Sequence, residues 1–500
     1  MQKRPLLWAT LFMLVCLSLS SILAACGGES ATRTNPTATP IYEPATPGGT
    51  TSTAPTTNAT APGTTAASTT AAAATTSASG SSDTGSGAST TAATATTAAS
   101  TTAAAAAASS DSAGGSSEVY PAPAATPGSS YSKPNQPVYN QQPLKAGAVD
   151  DNVNFTEYMQ YLQGYRSQDV WPLDVSERYI INVVDGNGRT VSNATVKIYT
   201  NQTLIFQGKT YSNGQVLFFP KTLPSAAQVS TFDVTAEKDG QTLTRSFQRQ
   251  DQNQNQGYNQ NLFIGANWTL NLNGSFRNQQ NASTTLDLLF LLDSTGSMGG
   301  EIRRIQQTIS DIAYQITALP GQPRLRFGIV TYRDRGDSYV TRKYGFTENL
   351  GDFSNFLNSI SAGGGGDYPE SLNEALHVAV NDMNWSSGDA LRLAFLVADA
   401  PPHLDYPKDY KYTNELVDAV RQGIKVYTIG ASGLTPPGEY IFRQLAEITL
   451  AQYIFITRGG DENRSGSGGP ASNTGIAYNE QTLDQIVVGI VRQELNNLTQ

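Results

Sequence analysis

The segment Leu286–Leu292 limits the fold more than any other: it is an almost unbroken apolar run that stops at Asp293. A strand of that kind is buried on both faces, which is the habit of parallel sheets covered by helices. Downstream, Ile302, Ile305, Ile309, Ile312, Ile316 and Leu319 step by three and four. That spacing predicts an amphipathic helix, stopped by Pro320-Gly321. Further strands are predicted at Leu325–Tyr332, Leu393–Ala398, Val426–Ile429 and Tyr453–Ile456. Helices fit Pro369–Met383, Asn414–Gln422, Glu439–Ile448 and Thr482–Leu498. Strands alternating with helices predict a doubly wound α/β domain with a mostly parallel sheet over residues 284–500.

The chain before this domain is of another character. Of all 500 residues only 39% are hydrophobic and 15% charged, against about 45–50% and about 25% in globular chains. The deficit lies in Glu29–Asp150, a run of Thr, Ala, Ser, Gly and Pro with few large apolar residues. Such a segment buries too little to offset the entropy of ordering it. We expect a flexible stalk over residues 26–150, with a coil span of roughly 60 Å, acting as a spacer. Its Ser/Thr/Pro content also suits O-linked sugars.

From Phe155 the composition changes. Tyr158, Tyr161, Leu162 and Tyr165 have helical spacing. Short strands follow at Tyr179–Val184, Ala194–Tyr199, Val216–Phe219 and Phe232–Ala236, with turn signals at Asp185-Gly186-Asn187-Gly188, Asn213-Gly214 and Asp239-Gly240. Strands between such turns predict a small antiparallel all-β sandwich or barrel over residues 155–280. The order of these strands and turns resembles the carboxypeptidase-regulatory or collagen-adhesin-B repeats of bacterial surface proteins, which implies a rigid spacer. Gln248–Gln260 reads as a long loop.

At the start of the chain, Lys3 and Arg4 precede an apolar run from Leu6 to Ala25, then Cys26-Gly27. A charged n-region and an apolar h-region mark a secretory signal over residues 1–25. Leu23-Ala24-Ala25-Cys26-Gly27 resembles the bacterial lipobox. The resemblance implies cleavage before Cys26, a lipid on its thiol and an extracytoplasmic chain anchored to the cell membrane; an uncleaved transmembrane anchor is the alternative. Cys16 would leave with the signal. Two cysteines exclude a disulfide scaffold and a multi-cysteine metal site, and two histidines exclude a three-histidine zinc. A net charge of −9 argues against a nucleic-acid surface.

The chemistry concentrates where the first buried strand ends, in Asp293-Ser294-Thr295-Gly296-Ser297-Met298. A carboxylate and two hydroxyls at alternate positions can converge on one point at the carboxyl edge of the sheet, where such folds bind ligands. All are hard oxygen donors, suited to Mg²⁺ or Ca²⁺. A later apolar strand ends in Asp399-Ala400-Pro401-Pro402, and between them lies Gly363-Gly364-Gly365-Gly366-Asp367-Tyr368-Pro369-Glu370. These three loops, in this order, resemble the von Willebrand factor A family and its metal-ion-dependent adhesion site. The resemblance covers about Thr284–Leu498. It implies a site of Asp293, Thr295, Ser297 and Asp399, the last directly or through water, holding Mg²⁺ (or Ca²⁺ or Mn²⁺). Where the family commonly places a Thr ligand, Asp367 stands; it either joins the metal or caps the helix begun by Pro369.

Mg²⁺ takes six ligands, so a position is left open at the rim. The resemblance implies that a partner's carboxylate fills it, which makes the chain a surface-anchored binding protein for a protein or matrix ligand and not an enzyme. An envelope scaffold that assembles with proteins of its own cell is the alternative, with or without metal. His403 reads as a solvated bystander, His377 as a boundary residue of its helix, and Arg335-Gly336-Asp337 as a charged turn that spells an adhesion tripeptide by chance.

Overall fold

The computed structural model describes residues 119–120, 143–250, 264–276, 284–320, 323–457 and 478–498. The signal segment, Cys26, most of the expected stalk and most of Gln248–Gln260 lie outside the described residues. Among the described residues, no helix is long and apolar enough to cross a membrane.

The chain order begins with β1 (Val119–Tyr120), β2 (Lys145–Val149) and α1 (Phe155–Gly164). Seven strands follow: β3 (Glu177–Val184), β4 (Thr195–Thr200), β5 (Thr203–Lys209), β6 (Gln215–Phe218), β7 (Thr231–Lys238), β8 (Gln241–Gln248) and β9 (Ile264–Asn271). They form two small sheets, ordered β6-β3-β9 and β5-β4-β7-β8. Rings from the first sheet meet rings from the second: Phe218 lies 5.2 Å from Phe232, and Trp268 lies 4.9 Å from Phe247. One pairing departs from the antiparallel expectation, because β9 runs parallel to β3. A parallel neighbour needs a crossover connection, and the passage of the chain through the second sheet supplies it.

The α/β unit is built on a sheet of order β1-β12-β11-β10-β13-β14-β15-β2-β16. Its strands are β10 (Thr285–Asp293), β11 (Arg324–Tyr332), β12 (Thr341–Thr347), β13 (Ala390–Ala398), β14 (Ile424–Gly430), β15 (Tyr453–Thr457) and β16 (Gln481–Thr482). The helices are α2 (Ile302–Thr317), α3 (Leu350–Ser359), α4 (Leu372–His377), α5 (Tyr412–Gln422), α6 (Pro436–Ile448) and α7 (Leu483–Asn497). Strands β11, β10, β13, β14 and β15 are parallel, with antiparallel β12 and β2 outside them. Strand β10 is buried along nearly its whole length, as its composition requires. The isoleucine stripe of α2 faces the same core.

Several elements, among them β5, β8, β9, β12 and α3, have no counterpart in the sequence expectations. Strand β12 buries only every third residue, a pattern that matches neither strand nor helix periodicity. Helix α3 starts at Asn349, whose side chain accepts from the backbone N–H groups of Gly351 and Asp352.

The expected boundaries also shift. Strand β2 lies inside the expected stalk, yet it pairs with β15 through Val149↔Tyr453 to Lys145↔Thr457. Helix α1, expected to open the β unit, packs instead on α6: Tyr165 lies 4.5 Å from Tyr440. Arg443, wholly buried, pairs with buried Asp151 through two hydrogen bonds of 2.6 and 2.9 Å, and its guanidinium lies 3.9 Å over the Tyr161 ring. The α/β unit is therefore discontinuous, and the β strands are inserted between β2 and β10. The insert is docked firmly. Ser212 donates to Glu494 at 2.5 Å, Arg392 donates to Asn193 at 2.8 Å, and one apolar core runs through both units.

Breaking a buried ion pair strands the remaining charge, at a cost of about 3–5 kcal/mol. We predict that loss for Asp151→Ala, read by denaturant unfolding, and a loss at least as large for a fragment that begins at Thr284. A fragment as stable as the intact chain would refute the discontinuous boundary.

Candidate metal centre

The strand order reverses between β10 and β13, since β11 follows β10 on one side and β14 follows β13 on the other. Ligands of open α/β sheets bind at the carboxyl edge of such a switch point. The register sets Leu292 beside Val397, so Asp293 and Asp399 leave neighbouring strands almost side by side.

The first loop turns back at once. Asp293 Oδ1 accepts from the Thr295 backbone N–H at 2.9 Å and from the Thr295 hydroxyl at 2.7 Å. Thr295 Oγ1 and Ser297 Oγ are 3.0 Å apart, and Ser297 donates to Asp399 Oδ1 at 3.0 Å. Met298, buried, anchors the short 3₁₀ turn that follows. Asp293, Thr295, Ser297 and Asp399 thus form one continuous group, with only Ser297 exposed.

The glycine loop closes over this group. Gly296 N–H donates to Gly364 O, and Gly363 N–H donates to Ser294 O. Gly364 and Gly365 have φ of +77° and +75°, where a side chain is strained. A Cβ on Gly364 would run into the Asp337 carboxylate, and one on Gly365 would come within 2.8 Å of Glu370 Oε1. Asp337 accepts from the Gly365 N–H at 2.8 Å and from the Asp334 N–H at 3.1 Å, while Arg335 pairs with Asp409 at 2.6 Å. Both charged members of Arg335-Gly336-Asp337 are therefore engaged inside the domain.

Glu370, quoted in the sequence only as part of a motif, proves to be the third acid of the group. It is buried, and its Oε2 has no hydrogen-bond partner. Burial, then the charges of Asp293, Asp334, Asp337 and Asp399, push its carboxyl up to about 9. Asp293, wholly buried with Oδ2 unpartnered, is pushed to about 7 by burial and then by Asp399. Asp399 is raised by burial, partly offset by the hydrogen bond from Ser297. Such a set of acids, with oxygen atoms left over and acidic neighbours, fits a hard divalent cation.

Asp367 is placed elsewhere. Its side chain is 61% exposed, and Oδ2 lies 3.7 Å from His403 Nε2 rather than among the Asp293 group. The reason is local: Glu370 follows Asp367 by three positions and takes the inward position. His403, expected to be solvated, is buried, stacked on Tyr406 at 3.8 Å with Asp405 Oδ1 2.8 Å from Nδ1. His377 is half-buried, 3.2 Å from Glu415, as a boundary residue should be. Asp334 belongs to none of the three loops that carry the family resemblance. Position was the available signal, because Asp334 follows β11 by two residues and Asp399 follows β13 by one, on the same edge of the sheet.

Comparison with known proteins bears on the same region: residues 287–457 match the family model described as the von Willebrand factor A domain. This part of the chain is a von Willebrand factor A domain. An alpha-protein kinase, vwkA, of Dictyostelium discoideum is 28% identical over 173 residues, 32% of this chain and 27% of that protein. A putative ariadne-like RING finger protein, R811, of Acanthamoeba polyphaga mimivirus is 31% identical over 122 residues, 24% of this chain and 11% of that protein. The chain thus spans 27% of the first protein's length and 11% of the second's. Among solved structures, proximal thread matrix protein 1 from the mussel byssus aligns at 13% identity over 34% of this chain and 47% of that one, with a TM-score of 0.24. That likeness is too slight to add to the assignment.

An acid whose pKa is raised on folding holds more protons folded than unfolded, so stability falls as pH rises between the two values. With divalent cations chelated, the protein should lose stability from pH 3.8 to about 7 through Asp293 and from pH 4.5 to about 9 through Glu370. Thermal unfolding in EDTA at several pH values measures this. Glu370→Gln should flatten the upper part of the slope, and a wild-type slope in that variant would contradict the assignment.

Proposed function

We propose that the von Willebrand factor A domain of this chain is a cation-dependent binding module. Asp293, Thr295, Ser297 and Asp399 hold a divalent metal, Mg²⁺ in the first instance, and Glu370 closes the group from the glycine loop. The observation that carries this reading is the buried set of Asp293, Glu370 and Asp399, with an oxygen left unpartnered on each of the first two. Two negative charges in a poorly solvated place repel strongly unless a cation lies between them. The bound metal supplies a Lewis-acidic point for a carboxylate, and the exposed Ser297 marks the side from which a ligand reaches it.

Von Willebrand factor A domains are protein-interaction modules, which supports binding rather than turnover. The ligand class we assign is a protein or matrix surface that offers a carboxylate. The lipobox-like Leu23-Ala24-Ala25-Cys26 and the Thr/Ala/Ser-rich segment after it support a lipid-anchored chain that presents this domain outside the membrane.

The test is Asp293→Ala. Removing a buried acid with a raised pKa leaves the fold intact, whereas Mg²⁺ affinity by calorimetry should fall roughly tenfold or more. Capture of displayed acidic peptides in Mg²⁺, absent in EDTA, should be lost in the same variant. Full capture by a folded Asp293→Ala protein would refute the reading.

A further inference from the structure

Beside the Asp293 group, and made by other side chains, Asp334, Asp367 and His403 bring one ligand atom each to within 4.8 Å of one another. They come from three separate loops at one edge of the sheet. His403 Nε2 lies 3.7 Å from Asp334 Oδ1 and 3.7 Å from Asp367 Oδ2. These gaps are too long for hydrogen bonds. They match two donors on a shared ion at about 2.1 Å each, with an angle near 120°. His403 is buried, and its Nε2 has no hydrogen-bond partner although it is aimed into the cluster.

The surroundings hold these atoms as outer-shell groups hold metal ligands. The other ring nitrogen of His403 faces Asp405 Oδ1 at 2.8 Å, which fixes Nδ1 as the donor and turns the Nε2 lone pair inward. Asp334 is buried, and its two oxygens accept from Ser371 Oγ at 2.8 Å and Tyr406 Oη at 2.6 Å. Tyr406 also stacks on the His403 ring, so the tyrosine braces two of the three donors. Asp367 is exposed, so the cluster is open to an ion that arrives from solvent.

We infer that Asp334, Asp367 and His403 form a second metal site, distinct from the Asp293 group and selective for a borderline divalent ion such as Zn²⁺. One imidazole and two carboxylates suit Zn²⁺ better than Mg²⁺, which prefers oxygen alone. Three protein ligands leave a fourth position open to water or an incoming group.

The probe is Zn²⁺, titrated against a chelating dye into the metal-stripped intact protein, with excess Mg²⁺ present and again in the Asp293→Ala background. Zn²⁺ should bind in both cases, and X-ray absorption at the zinc edge should show one imidazole nitrogen among oxygens. Asp367→Asn and His403→Gln should each weaken Zn²⁺ at least about tenfold, and Asp405→Asn, which acts through the ring, by about 10–100-fold. Asp367 is exposed, so its variant remains informative if His403→Gln fails to fold. Because Asp293→Ala removes the other metal, loss of Mg²⁺ binding and loss of Zn²⁺ binding are read separately. Wild-type Zn²⁺ affinity in Asp367→Asn, an all-oxygen shell, or no Zn²⁺ binding at all would overturn the inference.

Discussion

Carboxylates gathered at the dry edge of a sheet are the constraint around which this molecule is organised. Asp293 and Asp399 leave adjacent strands, and Glu370 is brought over them by the glycine loop. Each is raised by burial, and each feels acidic neighbours. A fold carries such a group only if something else holds the chain in place while the charges repel. Here the buried parallel strands, the Met298 anchor and the backbone hydrogen bonds from Gly296 to Gly364 and from Gly363 to Ser294 do so.

The α/β class was legible because its strands are continuous apolar runs and α2 has a clear isoleucine stripe. The association of Asp293, Thr295, Ser297 and Asp399 is what the family resemblance implies, and the sheet favours it: Asp293 ends β10, Asp399 follows β13, and Thr295 and Ser297 lie on the short turn after β10. Asp367 and Glu370 could not be ordered in the same way. They lie on an irregular loop three residues apart, and which one turns inward depends on Asp337 and on two glycines with positive φ. The fate of His403 was equally hidden, since its burial comes from Tyr406 and Asp334, on different loops.

Domain limits were the least legible feature. Lys145–Val149 is Lys-Ala-Gly-Ala-Val, too short and too small in its side chains to announce a strand within a run of polar residues. What secures it is remote: β15 along its edge, and the Asp151–Arg443 pair just beyond its end. The β unit, expected as a separate spacer, shares its core with the α/β unit because both of its ends lead into the same sheet.

That insertion has a consequence for how the protein is made. The contact from Asn152 to Glu447 spans 295 residues of chain. At synthesis rates of about 5–20 residues per second, the N-terminal strand waits roughly 15–60 s for its partner to leave the ribosome. The β unit is complete well before then, so the edge of the large sheet closes late. During that interval β2 lacks the neighbour it will pair with, and chaperones that mask open strand edges have a defined moment at which to act.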